Sequence, residues 1–221
     1  MRALVINKRN ALSASKKRTL VTYSHPESRI SEQFRTIQTN IKFSMAEEKS
    51  RIFLITSPSD GEGKSTTAAN LAVSMAQQKE KVLLIDANIR RPALHTFFKT
   101  SNSTGLTDVL TGKVSFYEAI QHTEIGRLDL LSSGLIQYNP VELLGSHRME
   151  ELLKTALKSY ASILIDSNAL LEVTDTKLLA NQCDGVILVI QNGKTKFEKA
   201  AEAKKVLEFA KAKLVGVVMN K

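Results

Sequence analysis

The sequence predicts an α/β fold, a doubly wound, mostly parallel sheet with helices packed on both faces. Three observations carry this expectation. Short apolar runs recur as RIFLIT, KVLLID, SILID, GVILVI and LVGVVMNK, each the length of a strand buried on both sides. Between several of them lie segments with apolar residues spaced three or four apart, as in AANLAVSMAQQ and HRMEELLKTALKSY. A glycine-bearing turn, SDGEGKST, joins the first such strand to the first such helix.

Taken in order, residues 1–25 contain Arg2, Lys8, Arg9, Lys16, Lys17 and Arg18 and no acid, so much of the net charge of +9 sits at the start of the chain. The apolar residues there never form the unbroken run that a secretory leader needs. Residues 1–27 therefore read as a basic, disordered arm and 28–221 as a single domain, in a protein expected to be cytoplasmic. No stretch approaches the roughly 18 apolar residues of a membrane span, so any membrane association is expected to be peripheral, aided by the arm at an anionic surface. The segment SRISEQFRTIQTNIKFSM then puts Ile30, Phe34, Ile37, Ile41 and Met45 near one helical face, with Ser28 or Ser31 as cap.

After RIFLIT comes a helix with Ala68, Leu71, Ala72, Met75 and Ala76 on one face, then KVLLID, a middle containing GLTDVLTGK, and a strand-like RLDLLSS. HRMEELLKTALKSY leads into SILID and TDTKLLANQC into GVILVI. A Lys- and Glu-rich helix, apolar at Phe197, Ala200, Ala201, Val206, Leu207 and Ala210, leads into LVGVVMNK. Glu198, Glu202 and Glu208 dilute its positive field, so specific nucleic-acid binding is not expected. The single Cys183 reads as a half-buried side chain before a strand. The histidines His25, His95, His122 and His147 lack metal-ligand spacing.

The chemistry concentrates in the loop. Gly61 and Gly63 let the backbone curl so that its N–H groups point at phosphate oxygens, reinforced by the following helix N-terminus. Lys64 supplies charge for the β and γ phosphates, and the Ser65 hydroxyl is placed for Mg²⁺. The strict loop pattern needs Gly at position 58, where this chain has Pro58. Asp86 and Asp166 each end an apolar strand, at the sheet edge where ligands of open parallel sheets bind. One hydroxyl and one or two carboxylates suffice for Mg²⁺; an acid at a strand end can equally cap the next helix.

With LLIDANIRRP the sequence resembles the bacterial tyrosine kinases (BY-kinases) of capsule and exopolysaccharide synthesis, P-loop relatives of the septum-site and plasmid-partition ATPases. The resemblance spans about residues 28–221 and includes SEQFRTIQTNIKFS, TSPSDGEGKST, GLTDVLTGK, LDLLSSG, NPVELLGSHRMEELL, ILID and GVVMNK. It implies ATP and Mg²⁺ as ligands. Gly61, Glu62, Gly63, Lys64, Ser65 and Thr66 would form the nucleotide loop, with Asn220 and Lys221 at the adenine. Asp86 would act as base or metal ligand and Asp166 as metal partner beside Ser65. It also implies protein tyrosine as substrate, a transmembrane adaptor as activator, hence a place at the inner face of the membrane, and homo-oligomers through the Glu32/Arg35 helix.

The partition ATPases typically carry a lysine where this chain has Ser59, which favours the kinase branch. Four positions depart from the kinase pattern: Asn88 for Asp, Ser167-Asn168-Ala169 for Thr-Pro-Pro, Asp60 for Pro, and Gln38 for the last arginine of Glu-x-x-Arg-x-x-Arg. Loss of the prolines after Asp166 predicts a less rigid turn there. The kinases also end in a tyrosine cluster, whereas Tyr23, Tyr117, Tyr138 and Tyr160 are scattered and read as packing or surface residues. Two other classes therefore stay open: a nucleotide-binding scaffold with weakened catalysis, and a partition-type ATPase.

Overall fold

The computed structural model describes residues 19–44, 51–135 and 139–220. The basic cluster from Arg2 to Arg18, Met45, Tyr138 and Lys221 lie outside them. In chain order the elements are α1 (Val21–Ser24), α2 (Arg29–Ser44), β1 (Arg51–Thr56), α3 (Lys64–Gln77), β2 (Val82–Asp86), α4 (Leu94–Phe98), α5 (Leu106–Leu110), α6 (Phe116–Ala119), β3 (Gln121–His122), β4 (Leu128–Leu131), α7 (Pro140–Leu144), α8 (His147–Leu157), β5 (Ser162–Asp166), α9 (Asp175–Asn181), β6 (Gly185–Gln191), α10 (Phe197–Phe209) and β7 (Leu214–Asn220). Among the described residues no helix is long and apolar enough to cross a membrane.

The strands form one seven-stranded sheet in the order β3-β4-β2-β5-β1-β6-β7. All neighbours are parallel except β3, which pairs antiparallel with β4. Alternate residues of each strand point to opposite faces, so the continuous apolar runs feed two cores at once. Leu54, Leu83, Ile85, Ile163, Ile165 and Leu188 pack against Leu152 of α8 and Leu207 of α10. Phe53, Ile55, Leu84, Leu164 and Val189 pack on the other side against Leu71 and Met75 of α3 and Leu94 of α4. The short β3 escaped sequence reading because two residues show no period.

Three local expectations are corrected. The arm was expected to run to residue 27, yet residues from Thr19 onward fold against α3. Thr22 is buried, its N–H and hydroxyl both donate to Asn70 Oδ1 at 3.0 and 2.9 Å, and Asn70 Nδ2 donates to Thr19 O at 3.2 Å. With α1 and α2 on one side and the sheet on the other, α3 is buried from Thr67 to Ala76 all round, not on a single face. In α10, Ala203 and Leu207 are buried while Phe197 is exposed at the helix start, so the apolar stripe runs differently from the one expected.

At α2, Ser28 is the cap: its hydroxyl accepts from Ser31 N at 3.2 Å. Ile41 is buried and Phe34 and Ile37 pack on the core, but Ile30 is exposed. Gln38 is fully buried, where its Oε1 accepts from Ser74 Oγ at 3.3 Å and its Nε2 donates to Glu80 Oε1 at 3.4 Å. Position 38 therefore braces α2 on α3 and presents nothing outward. Glu32 and Arg35 pair with each other, and Arg35 also donates to Pro26 O at 2.8 Å. Cys183 is half-buried against the core as expected, and burial pushes its thiol pKa up.

Candidate nucleotide and metal site

Because β5 lies between β1 and β2, the carboxyl ends of the three strands converge. Asp86 stands directly across from Asp166, and Asp166 across from Ile55, one residue before the end of β1. The loop after β1 thus opens beside two carboxylates that are far apart in sequence. Its bend needs glycine: Gly61 and Gly63 have φ of +76° and +94°, in the left-handed region that other residues avoid. At Gly63 a side chain is excluded twice over, since a Cβ there would lie 2.1 Å from Asn220 Nδ2.

Both conformation and contacts hold the loop. Glu62 is buried, and its carboxylate accepts from Thr195 Oγ1 at 2.6 Å and from Ser59 N at 3.1 Å. Asn220 Nδ2 donates to Glu62 O at 3.2 Å, which brings the end of β7 against the loop. Lys194 Nζ reaches the carbonyls of Asp60 and Gly61, each at 3.3 Å, and Glu172 Oε1 accepts from Asp60 N at 2.9 Å. Lys64, the first residue of α3, is buried and its Nζ lies 2.8 Å from Asp60 Oδ1. Ser65 is half-buried and Thr66 exposed.

The two strand-end aspartates are both fully buried but differently partnered. Asp86 Oδ2 accepts from Ala93 N and Leu94 N, both at 2.9 Å, and Oδ1 accepts from Asn88 N at 3.2 Å. Its carboxylate therefore organises the turn into α4, the capping reading left open by the sequence. Asp166 is bare: among the described residues neither carboxylate oxygen has a hydrogen-bond partner. Burial, then the charge of Asp86, push its pKa up, while the Ser65 hydroxyl, the Lys64 ammonium and the Ser167 N–H, which donates to Ile55 O, pull it down from positions short of hydrogen-bond geometry.

A buried, unpartnered carboxylate facing a second one calls for a cation. Lys64 is one. Mg²⁺ is a fitting second, since it accepts oxygen ligands and keeps most of its water, so the Ser65 hydroxyl with one or two carboxylates is a suitable donor set. Among the described residues no group of three or more His, Cys, Asp or Glu side chains could enclose a metal by itself. The donors suit an ion shared with a phosphate better than one held by protein alone.

Two departures from the motif prove to be structurally compensated. Asn88 Oδ1 accepts from Arg91 N at 3.2 Å, so the amide holds the turn with an oxygen that a carboxylate would also supply. The segment after Asp166 was expected to lose rigidity, but hydroxyls replace the missing proline rings. Asn168 O accepts from Thr56 Oγ1, Ser167 Oγ and Thr176 Oγ1 at 2.8, 3.1 and 3.2 Å, and Leu170 N donates to Ser57 O at 2.8 Å.

Sequence reading placed Gly61, Glu62, Gly63, Lys64, Ser65, Thr66, Asp86, Asp166 and Asn220 in the site. The fold brings these elements to one edge of the sheet; Lys221 lies outside the described residues. Missed were Lys194, Thr195, Glu172 and Arg91. The signal available for Lys194 and Thr195 was their place just beyond the carboxyl end of a parallel strand, β6.

A glycine-bent loop running from the central parallel strand into a helix that opens on Lys-Ser, beside aspartates on neighbouring strands, defines a P-loop nucleotide-binding fold. Comparison with known proteins narrows the class. A family model described as an AAA domain matches residues 50–213. The tyrosine-protein kinase YwqD of Bacillus subtilis is 48% identical over 203 residues, covering 92% of this chain and 86% of its own. Among solved structures, the chimerical protein CapA2B2 superposes with TM-score 0.87 at 37% identity, over 91% of this chain and 88% of the other. The kinase domain of the Escherichia coli tyrosine kinase ETK gives 0.88 at 30% identity, over 96% and 84%. The septum site-determining protein MinD of Pyrococcus horikoshii, complexed with Mg-ADP, gives 0.67 at 25% identity, over 77% and 70%. The chain belongs to the family of bacterial tyrosine-protein kinases.

Proposed function

We propose that this chain transfers the γ-phosphate of ATP to a tyrosine hydroxyl of a protein, in the control of capsule or exopolysaccharide synthesis. The observation that carries the reading is the bare, buried carboxylate of Asp166 at the end of β5, beside Lys64 and Ser65 at the start of α3, in a chain whose family is that of the bacterial tyrosine kinases. In this reading the N–H groups of residues 61–66 cradle the phosphates, Lys64 neutralises charge on the transferring group, and Asn220 with Lys221 contacts the base. Ser65, Asp166 and Asp86 would hold Mg²⁺, which when bound neutralises the phosphate oxygens as charge develops on them. Asp86 sits across from Asp166 at the carboxyl edge of the sheet, and its carboxylate would take the phenolic proton.

The same reading makes the residues from Thr19 onward part of a kinase domain, with the basic cluster from Arg2 to Arg18 ahead of it, working at the inner face of the membrane beside a transmembrane adaptor. Oligomers would form through the exposed side of α2, with Glu32 and Arg35 but without position 38, which is buried. The test is incubation with γ-labelled ATP and Mg²⁺, with and without the cytoplasmic tail of the adaptor, scoring phosphotyrosine and free phosphate together. Phosphotyrosine that falls by about a hundredfold or more in Lys64→Met is the expected result. Free phosphate without phosphotyrosine would indicate an ATPase, and no turnover a scaffold.

A further inference from the structure

The loop contains a charge that a phosphate site does not need. Asp60 projects a carboxylate into a segment whose purpose is to attract anions, and it does so with defined partners. Its Oδ1 lies 2.8 Å from Lys64 Nζ and its Oδ2 lies 3.0 Å from Arg91 Nη1, so each oxygen meets a different cation. Its backbone N–H is held at the same time by Glu172 Oε1. The contact with Lys64, ahead of that with Arg91, keeps the Asp60 carboxyl below the usual carboxylate range.

Burial decides which half of this bridge matters. The Lys64 side chain is only 6% exposed, whereas that of Arg91 is 80% exposed. A buried ammonium without a partner is costly, and an exposed ion pair is worth little. Asp60 therefore satisfies Lys64 chiefly, and Arg91 holds the far oxygen in place. A carboxylate and a phosphate oxygen compete for the same N–H donors of one ammonium.

We infer that Asp60 is a built-in stand-in for a nucleotide phosphate: it occupies Lys64 whenever nucleotide is not bound and must be displaced when nucleotide binds, which sets the affinity threshold of the site. The inference rests on the reading of the loop as a nucleotide site and adds a self-inhibitory contact to it. By linkage, anything that stabilises the latched, nucleotide-free form weakens nucleotide binding by the same factor.

The test is calorimetric titration of the full chain with Mg·ADP and Mg·ATP. Asp60→Asn should tighten binding about tenfold, the scale of one charge-assisted hydrogen bond to a buried group. It should also lower the unfolding temperature of the nucleotide-free protein more than that of the Mg·ADP-saturated protein. Asp60→Ala, a second neutral side chain, should move the dissociation constant in the same direction. Glu172→Gln removes a nearby negative charge but leaves the Lys64 contact, and should tighten binding by less than about threefold.

Unchanged or weaker binding in Asp60→Asn overturns the inference. So does equal tightening by Glu172→Gln, which would reduce Asp60 to one part of a general field. If the parent chain binds nucleotide and Lys64→Met weakens that binding, while neither Asp60 variant strengthens it, the latch falls and the nucleotide site stands. If the parent does not bind nucleotide at all, both fall.

Discussion

Asp86 and Asp166 end adjacent strands, face each other across one register step and are equally buried, yet they live differently. Three backbone N–H groups converge on Asp86 as the chain turns into α4; neither oxygen of Asp166 is satisfied by a described group. The difference follows from what comes next in the chain. After β2 the segment Ala87–Arg91 curls back under Asp86, and Ala93 and Leu94 present the free N–H groups of a helix start. After β5 the turn is held instead by hydroxyls on the Asn168 carbonyl, so nothing is required of the Asp166 side chain. One carboxylate is anchored by backbone N–H groups, and the other is not.

The comparison can be broken most sharply at Asp166. Asp166→Asn is expected to cost about a hundredfold or more in phosphoryl transfer by removing a carboxylate proposed to hold Mg²⁺. The same change should stabilise the nucleotide-free protein by about 1–2 kcal/mol at neutral pH, read from its denaturant midpoint, because the parent must take up a proton to bury this carboxyl and the amide need not. The sign with pH is fixed by the raised pKa. In the parent the neutral acid is the better folded form, so this contribution to stability is complete below the unfolded carboxylate range near pH 4. It is then lost as pH rises toward the folded value. The advantage of Asp166→Asn should therefore grow from pH 4 to neutral pH. An advantage that is flat across that range, or absent, would mean that Asp166 has a partner.

Asp86 should respond the other way. Asp86→Ala removes the acceptor of three N–H groups and is expected to destabilise the fold by about 2–3 kcal/mol, in addition to any loss of activity. Asp86→Asn keeps one oxygen and should destabilise less. If Asp86→Ala unfolds at the parental midpoint, the anchoring role is wrong. The smallest effect is expected at position 88. Asn88→Asp retains the oxygen that receives Arg91 N but adds a charge at a buried position two residues from Asp86, so stability should fall by about 1 kcal/mol. Its added charge should raise Mg²⁺-dependent transfer by about two- to fivefold, measured at limiting Mg²⁺. A loss well beyond that, without a gain in transfer, would show that the turn depends on the amide itself.

Much of this was legible in the chain, and where it was not the reason is physical. The alternation of buried strands and helices, the loop and both aspartates lie on local patterns of period two, period 3.6 and glycine spacing. Phe197 and Ile30 were placed on core faces because periodicity does not reveal which turn of a helix overhangs the edge of its neighbour. Gln38 was read only as a departure from an assembly motif, and that it is buried is set by where α3 and Glu80 sit. The proline-free turn after Asp166 was read as loose because the hydroxyls that brace it, Thr56 and Thr176, come from other elements.

The sequence by itself determined the fold class, the identity of the phosphate loop and the residue types of the site, because these depend on neighbours along the chain. Tertiary structure alone decided that Asp86 takes three backbone hydrogen bonds and Asp166 takes none from a described group, that Lys194, Glu172 and Asn220 lean on the loop, and that Asp60 holds Lys64 and Arg91. Each of these is a contest for one donor or one oxygen among groups as many as 158 residues apart, and its outcome is set by register, burial and reach.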